Sequence, residues 1–357
     1  MLTSGTSASR TKISIVPFTL SVQVGAQYAT SNWMDRTGQS PVHWQNFDFA
    51  SSSWKPASRF DIFAQLNVPW AGCVEARPGN WGVTDAEPTS GDPSSLFVPM
   101  LAPDEPGDAG SISYSTSTAT WSYPNSYIGD NPTPECAGEK THSDEYQAGQ
   151  SKLCKYRNAP FVDASFGRGP NFMCDAKPVV RLTTDLTALH GSINAMVPGG
   201  NTNLFEGFAW GWRTLSPNAP FADGKAYNTS NLKKIILLMT DGMNAWGAMN
   251  NHNGSRYSPF GFYTNARLGT APTNANEARA QIDAKTLATC TNAKAQGVAV
   301  YTVGFSVASD PIDAGGLDLL KKCATSSDMA YVANDSTQFL AAFDEIARKI
   351  GALRLTQ

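Results

Sequence analysis

Apolar runs and helix-length segments alternate along the second half of the chain, from Lys177 onwards. Short continuous apolar runs predict buried strands, whereas longer segments with apolar residues three or four positions apart predict helices. The predicted strands cover residues 178–183, 233–242, 298–305 and 329–333, and the predicted helices cover residues 185–196, 277–296, 317–324 and 336–350. Strands that alternate with helices are typical of a parallel sheet covered by helices, so this part is predicted to be α/β.

A further helix is predicted by the spacing of Leu204, Phe208, Trp212 and Leu215, which places them on one face. We interpret this stripe as core. Gly297 directly follows the helix predicted over residues 277–296, at the position where a helix often ends in a left-handed residue.

The first 176 residues have a different texture. Residues 12–25 begin with an apolar β-branched run and continue with alternation, which predicts a buried strand leading to an exposed one. Residues 27–176 are broken by Pro, Gly, Ser and Asp, and residues 104–139 are predicted to be mostly surface loop. Several tryptophans indicate small local cores. The predicted organisation is one α/β domain formed by residues 1–26 and 177–357, with residues 27–176 as a loop-rich, disulfide-containing insertion.

Composition removes several classes of protein. With 41% hydrophobic and 16% charged residues, the chain can bury a full core. A formal charge of -3 leaves no basic surface for a phosphate backbone, so nucleic acid is not expected as a partner. No apolar run is long enough to span a bilayer, and the first ten residues lack the apolar region of a signal peptide. If the protein is exported, we expect its export signal to lie outside this sequence.

Six cysteines contain no CxxC pair and lie far in sequence from the four histidines, which argues against a zinc site. Disulfides are the favoured interpretation, with buried free thiols as the alternative. Sequence alone does not choose among the possible pairings.

Two positions could bind a ligand at the edge of the sheet. Ligands of open parallel sheets collect at the carboxyl ends of strands, near helix N-termini. Asp241 occupies such an end and could coordinate a hard cation, or it could be an N-cap or turn residue. Thr202, in the loop PGGNTNLFEG, could cap the following helix, or its Oγ1 could be a metal ligand.

These motifs resemble those of von Willebrand factor A (vWA) domains, in the order GGNTNLFEG, IILLMTDG and GVAVYTVGF. More specifically, WAGCVEARPGNWGVTDAEP, LFVPMLAPDEP, MCDAKPVVRLT, EGFAWGWRTLSP and the terminal LRLTQ resemble the TadG-like proteins of Tad/Flp pilus assembly. The resemblance implies a vWA-like (Rossmann-like) sheet and a metal-ion-dependent adhesion site in which Thr202 and Asp241 bind Mg²⁺, or Ca²⁺ or Mn²⁺. It further implies a non-enzymatic envelope protein that binds pilus-assembly components or a surface ligand and is anchored by an N-terminal membrane segment.

One element of the family pattern is absent. An Asp-x-Ser-x-Ser loop is expected before residue 12, together with the first strand and helix, and residues 1–11 do not supply it. The similar string Asp163-Ala-Ser165-Phe-Gly167 lies inside the insertion and follows no long strand. We therefore expect a truncated start, an empty position in the sheet between residues 12–18 and the strand 233–242, and weak cation binding by this chain alone.

The resemblance places Cys290 and Cys323 on the helices before and after one strand of the vWA part, so we expect them to pair. Cys136 with Cys154 would close a short loop in the insertion, which leaves Cys73 with Cys174.

Two other functions remain open at this stage. One is a metal-dependent hydrolase that uses Asp241, although HExxH, GxSxG and P-loop patterns are absent and His43, His142, His190 and His252 are scattered. We expect these histidines to be surface or loop residues. The other is a structural scaffold in which the ion site is vestigial and the aromatic insertion binds the partner.

Overall fold

The strands and helices of the α/β part follow the order predicted from the sequence. The computed structural model describes residues 11–107, 113–115, 120–129, 136, 146–159, 162–163 and 167–352. Of residues 1–11, only Thr11 is described. The LRLTQ motif, His142 and Ser165 also lie outside the described residues. The strands are β1 (Ile13–Ile15), β2 (Ser113–Ser115), β3 (Thr120–Ser122), β4 (Val180–Thr183), β5 (Ile235–Thr240), β6 (Ala299–Phe305) and β7 (Ala330–Ala333).

Eight α-helices are found among the described residues. Three short ones lie in the insertion, namely α1 (Arg59–Gln65), α2 (Gly79–Gly82) and α3 (Tyr146–Ser151). The others are α4 (Leu186–Asn194), α5 (Leu204–Leu215), α6 (Ala275–Ala295), α7 (Ala314–Cys323) and α8 (Ser336–Ala352). Asn274 caps α6, and Gly297 follows its end with a φ of 80°, as predicted. None of the described helices combines the length and the apolar character needed to cross a membrane.

The described strands form three separate sheets, and one of them is an antiparallel pair of β2 and β3 in the insertion. β5, β6 and β7 are parallel and lie side by side in that order, whereas β1 pairs with β4 in the antiparallel direction. Within the described residues no hydrogen-bonded ladder joins β1 to β5, and α5 packs against both strands. The order and direction of these elements confirm the predicted α/β architecture, with a parallel sheet flanked by helices.

The parallel ladder is buried by helices on both faces. On one face Ile236 and Leu238 pack with residues of α5, α6 and α7. On the other face Tyr301 and Val303 pack against Ile346 of α8. Alternate residues of each strand point to opposite faces, which explains why the apolar runs in this part of the sequence are continuous.

α5 is the helix that joins the α/β part to the insertion. Leu204, Phe208 and Trp212 face the sheet, as the predicted stripe requires. Phe205 packs instead with Ala76 and Val83, and Trp210 lies in the large aromatic core of the insertion. Ten of the twelve residues of α5 are buried, including the charged Glu206 and Arg213, so the insertion shares its cores with the α/β part.

Two predictions about exposure were wrong. The residues after β1 do not form an exposed strand, because Leu20, Val22 and Val24 are each about 1% exposed and Val22 and Val24 pack in the insertion core. Residues 104–139 are not mostly surface loop where they are described, because Asp104 and Tyr127 are among several fully buried side chains there. Both errors have one cause: contacts between distant parts of the chain bury segments that look loop-like locally.

Three disulfides are present, and they are the pairs expected from the sequence. Cys290–Cys323 joins α6 to the end of α7, Cys136–Cys154 lies within the insertion, and Cys73–Cys174 joins the interior of the insertion to its C-terminal end. No free cysteine occurs among the described residues. Three disulfides in one chain are typical of proteins in an oxidising compartment.

Candidate functional site

The loop before α5 is fixed by Asn203, which was not predicted as the cap. Its side chain accepts a hydrogen bond from Glu206 N at 3.2 Å, and its Nδ2 donates to Leu20 O at 3.0 Å. Asn203 N donates to Thr19 O at 2.9 Å. The prediction that Thr202 could cap this helix was therefore wrong. The sequence does carry a signal for this cap, since Glu206 stands three residues after Asn203.

Thr202 lies beside the turn that follows β5. Its carbonyl oxygen accepts a hydrogen bond from Ala245 N at 2.9 Å. A Cβ added to Gly242 would lie 3.1 Å from Thr202 Oγ1, so a glycine allows the two segments to approach closely. The structure thus brings the loop 198–203 and the turn at residues 241–242 together at the carboxyl end of β5.

Asp241 is exposed at this turn, and a neighbouring residue stabilises the backbone there. Thr240 Oγ1 donates to Gly242 O at 2.9 Å and accepts from Gly242 N at 3.1 Å. Asp241 caps no helix, and within the part of the chain that the structure describes its carboxylate has no hydrogen-bond partner. The carboxylate is consequently available to a ligand.

A second carboxylate borders the same loop. Asp175 Oδ1 accepts a hydrogen bond from Thr19 Oγ1 at 2.8 Å, and a Cβ on Gly200 would lie 3.4 Å from Asp175 Oδ2. Gly200 has a φ of 74°, which glycine adopts without strain. Asp175 follows Cys174, so the disulfide to Cys73 anchors it. The sequence gives no signal for this position, because Asp175 belongs to the insertion.

Acidic groups of α6 and of the start of α7 are already paired. Buried Asn244 accepts a hydrogen bond from Leu204 N at 2.7 Å and donates to Asp283 Oδ1 at 2.7 Å. Arg279 donates to Asp313, and this hydrogen bond lowers the pKa of Asp313 to about 2. Burial raises the pKa of Asp283. These contacts leave Asp241 as the carboxylate at this end of β5 that no protein group neutralises, among the residues described.

A cation site formed by Thr202 and Asp241 would be incomplete without further ligands. No group of three or more His, Cys, Asp or Glu side chains that could hold a metal occurs among the described residues. Mg²⁺ takes six oxygen ligands and often keeps several waters while bound through one or two carboxylates. The Thr202 hydroxyl and the Asp241 carboxylate therefore fit part of such a site, with the other positions left to water or to a partner.

The histidines lie elsewhere and do not serve Asp241. His43 lies in a turn, within the predicted surface or loop class, but it is fully buried; its Nδ1 is 2.7 Å from Asp35 Oδ2, and its Nε2 accepts from Arg59 N. Burial lowers the pKa of His43. His252 is bonded to Tyr123 Oη at 3.0 Å, and burial lowers its pKa to about 4. The hydrolase alternative thus gains no histidine base in the described structure.

No protein-family model matches the chain. The search of curated proteins also finds no match. Among solved structures, the chain is similar to the pilus adhesin SpaC from Lactobacillus rhamnosus GG in its open conformation, with 18% sequence identity and a TM-score of 0.35 over 50% of this chain and 23% of the adhesin. A second structure of SpaC gives 20% identity and a TM-score of 0.34, with the same coverage of 50% and 23%.

The chain is also similar to the vWF domain of the type V pili tip protein Mfa5 from Porphyromonas gingivalis. The identity is 16% and the TM-score 0.32, over 48% of this chain and 75% of that one. The matched region covers less than a quarter of the SpaC chain, at 23%.

Proposed function

We propose that this chain is the ligand-binding vWA-like part of a TadG-like protein of Tad/Flp pilus assembly, and that it binds a protein partner without catalysing a reaction. The sequence motifs support this proposal, as does the strand order of the α/β part. The binding surface is the carboxyl end of β5, where Thr202 and Asp241 come together beside the N-terminus of α5.

One observation carries the proposal. Asn203 takes over the capping of α5 and Thr240 takes over the turn after β5, so neither Thr202 Oγ1 nor the Asp241 carboxylate is needed by the local fold. Polar groups that the fold does not use, placed at the carboxyl end of a strand, are free to meet a ligand.

Mg²⁺, Ca²⁺ or Mn²⁺ would be held by the Thr202 hydroxyl and the Asp241 carboxylate. Such a cation would supply open coordination positions for a carboxylate from the partner. With two ligands from this chain, cation binding is weak in its isolated form and stronger when the partner carboxylate completes the site.

The protein acts in the cell envelope, either in the periplasm or at the cell surface, with a membrane anchor in the intact protein. The three disulfides support this location, because such bonds persist in oxidising compartments. Its partner is a pilus-assembly component or a surface ligand.

The test is the substitution Asp241→Ala in the intact protein, with piliation and partner capture measured in the presence of Mg²⁺. We expect loss of both, whereas Asp344→Ala, which removes an exposed carboxylate from α8, leaves both unchanged. If Asp241→Ala leaves piliation and partner capture at the wild-type level, the scaffold function with a vestigial ion site replaces this proposal.

A further inference from the structure

A lysine and an aspartate meet inside the insertion, remote in sequence from the candidate site. Lys155 Nζ lies 2.5 Å from Asp104 Oδ2, and both side chains are 0% exposed. Asp104 belongs to the LFVPMLAPDEP motif, and Lys155 to a 3-10 helix (Leu153–Tyr156). Removing two opposite charges from water carries a penalty that their mutual attraction offsets only in part. A fully buried pair of this kind therefore invites a chemical explanation.

The two oxygens of the Asp104 carboxyl group have different surroundings. Oδ1 accepts hydrogen bonds from Tyr127 N at 2.7 Å and Ile128 N at 2.8 Å, whereas Oδ2 faces the amine of Lys155. The backbone of Asp104 is also fixed, because its N–H donates to Tyr156 Oη at 2.8 Å. Two backbone N–H groups aimed at one carbonyl oxygen are the arrangement that stabilises an oxyanion during acyl transfer.

The surroundings exclude water and favour the uncharged acid. Tyr127, Ile128, Leu153 and Tyr156 are each 0% exposed and belong to one core. Burial raises the pKa of Asp104 to about 6, even though Lys155 acts in the opposite direction. The protonated carboxyl group is therefore accessible near neutral pH, and hydrolysis is suppressed because bulk water does not reach the pair.

We propose that Lys155 and Asp104 become joined by an intramolecular isopeptide bond. The uncharged Nζ attacks Cγ of the protonated carboxyl group, and negative charge develops on Oδ1, where the N–H groups of Tyr127 and Ile128 stabilise it. The Cγ–Oδ2 bond then breaks. Oδ2 leaves as water with its own proton and one proton from Nζ, while the new amide nitrogen keeps the other. No oxidant, reductant or cofactor is required.

The fold holds the Lys155 amine and the Asp104 carboxyl group in contact, which favours their reaction. Amine and carboxyl groups held in contact inside a folded protein react as if at very high concentration, so a condensation that is slow in water becomes feasible. The product amide is neutral, which removes the penalty of two buried charges. It also cross-links the insertion between residues 104 and 155, close to the disulfide between Cys136 and Cys154.

Intact-mass spectrometry of the full chain, denatured and with its disulfides reduced, tests this proposal. We expect wild-type protein to be lighter than its sequence mass by about 18 Da, the mass of one water, and a protease digest to contain one branched peptide joining residues 104 and 155. The control is Lys155→Arg, which keeps the positive charge but has no amine to acylate, and it should have its full sequence mass. Wild-type protein at full sequence mass, with the peptides that contain residues 104 and 155 recovered separately, would overturn the proposal. That result comes from wild-type protein alone, so it does not depend on whether the Lys155→Arg variant folds.

Discussion

Replacement of Asn203 by Ala tests whether the cap of α5 is assigned correctly, and with it the freedom of Thr202. Asn203 is 0% exposed and serves two separate backbone groups, Glu206 N and Leu20 O. Loss of an N-cap costs about 1 kcal/mol. Leu20 is 1% exposed, so its orphaned carbonyl adds about 1 to 3 kcal/mol. The variant should therefore lose roughly 2 to 4 kcal/mol of unfolding free energy.

The matched controls are Asp185→Ala and Thr202→Val. Asp185 caps α4 through Thr187 N and Ala188 N but is exposed and holds no second element, so its loss should cost about 1 kcal/mol. Thr202→Val keeps the shape and removes only the hydroxyl, and should change stability by no more than about 0.5 kcal/mol.

Urea unfolding followed by tryptophan fluorescence measures all three variants. The double role of Asn203 is refuted if Asn203→Ala is no more destabilising than Asp185→Ala. It is equally refuted if Thr202→Val is as damaging as Asn203→Ala, because the Thr202 hydroxyl would then be part of the fold and not available to a cation.

Three further predictions concern stability. Burial raises the pKa of Glu206 from 4.5 to about 7, so the protonated side chain stabilises the fold below pH 4.5 and this contribution is lost as pH rises through 7. Urea unfolding should show that the free energy of unfolding falls by about 3 kcal/mol over this range, and Glu206→Gln should abolish the fall. Replacing Cys290 and Cys323 by Ala opens a loop of 33 residues and should lower the free energy of unfolding by about 4 kcal/mol through chain entropy. Reduced and oxidised wild-type protein that unfold at the same urea concentration would contradict this value. Gly224→Ala would force a Cβ into a backbone carbonyl at the end of α5 and should lower the thermal unfolding midpoint strongly. Gly191 has open space around it, so Gly191→Ala should leave the midpoint equal or higher. Equal midpoints for the two variants would contradict this prediction.

The sequence predicted the α/β part well because its signals are local. The buried strand Ile235–Thr240 and the helix Ala275–Ala295 follow from apolar periodicity and end signals that neighbouring residues provide. The positions of Thr202 and Asp241 at one edge follow from the same order of strands and helices. Packing of the insertion was not predictable in this way, since it depends on contacts between residues far apart in sequence.

Particular residues show where the prediction stopped. Asp104 stands among Pro, Gly and Asp, a composition typical of surface loops, yet Lys155, 51 positions later, covers it. His43 has no neighbouring sequence signal for burial, and Asp35 and Arg59 enclose it only in the folded chain. Asp175 borders the loop before α5, where it accepts a hydrogen bond from Thr19, 156 positions earlier in the chain.

We propose that Thr202 and Asp241 contribute to one cation site. Mn²⁺ binding to the full chain, measured by electron paramagnetic resonance of the free ion, tests it directly. We expect weak binding by wild-type protein, loss of that binding in both Thr202→Val and Asp241→Asn, and retention in Asp344→Asn, with all four proteins unfolding at similar temperature. Identical Mn²⁺ titrations for wild type and for the variants at residues 202 and 241, or no Mn²⁺ binding by wild type, would contradict the account.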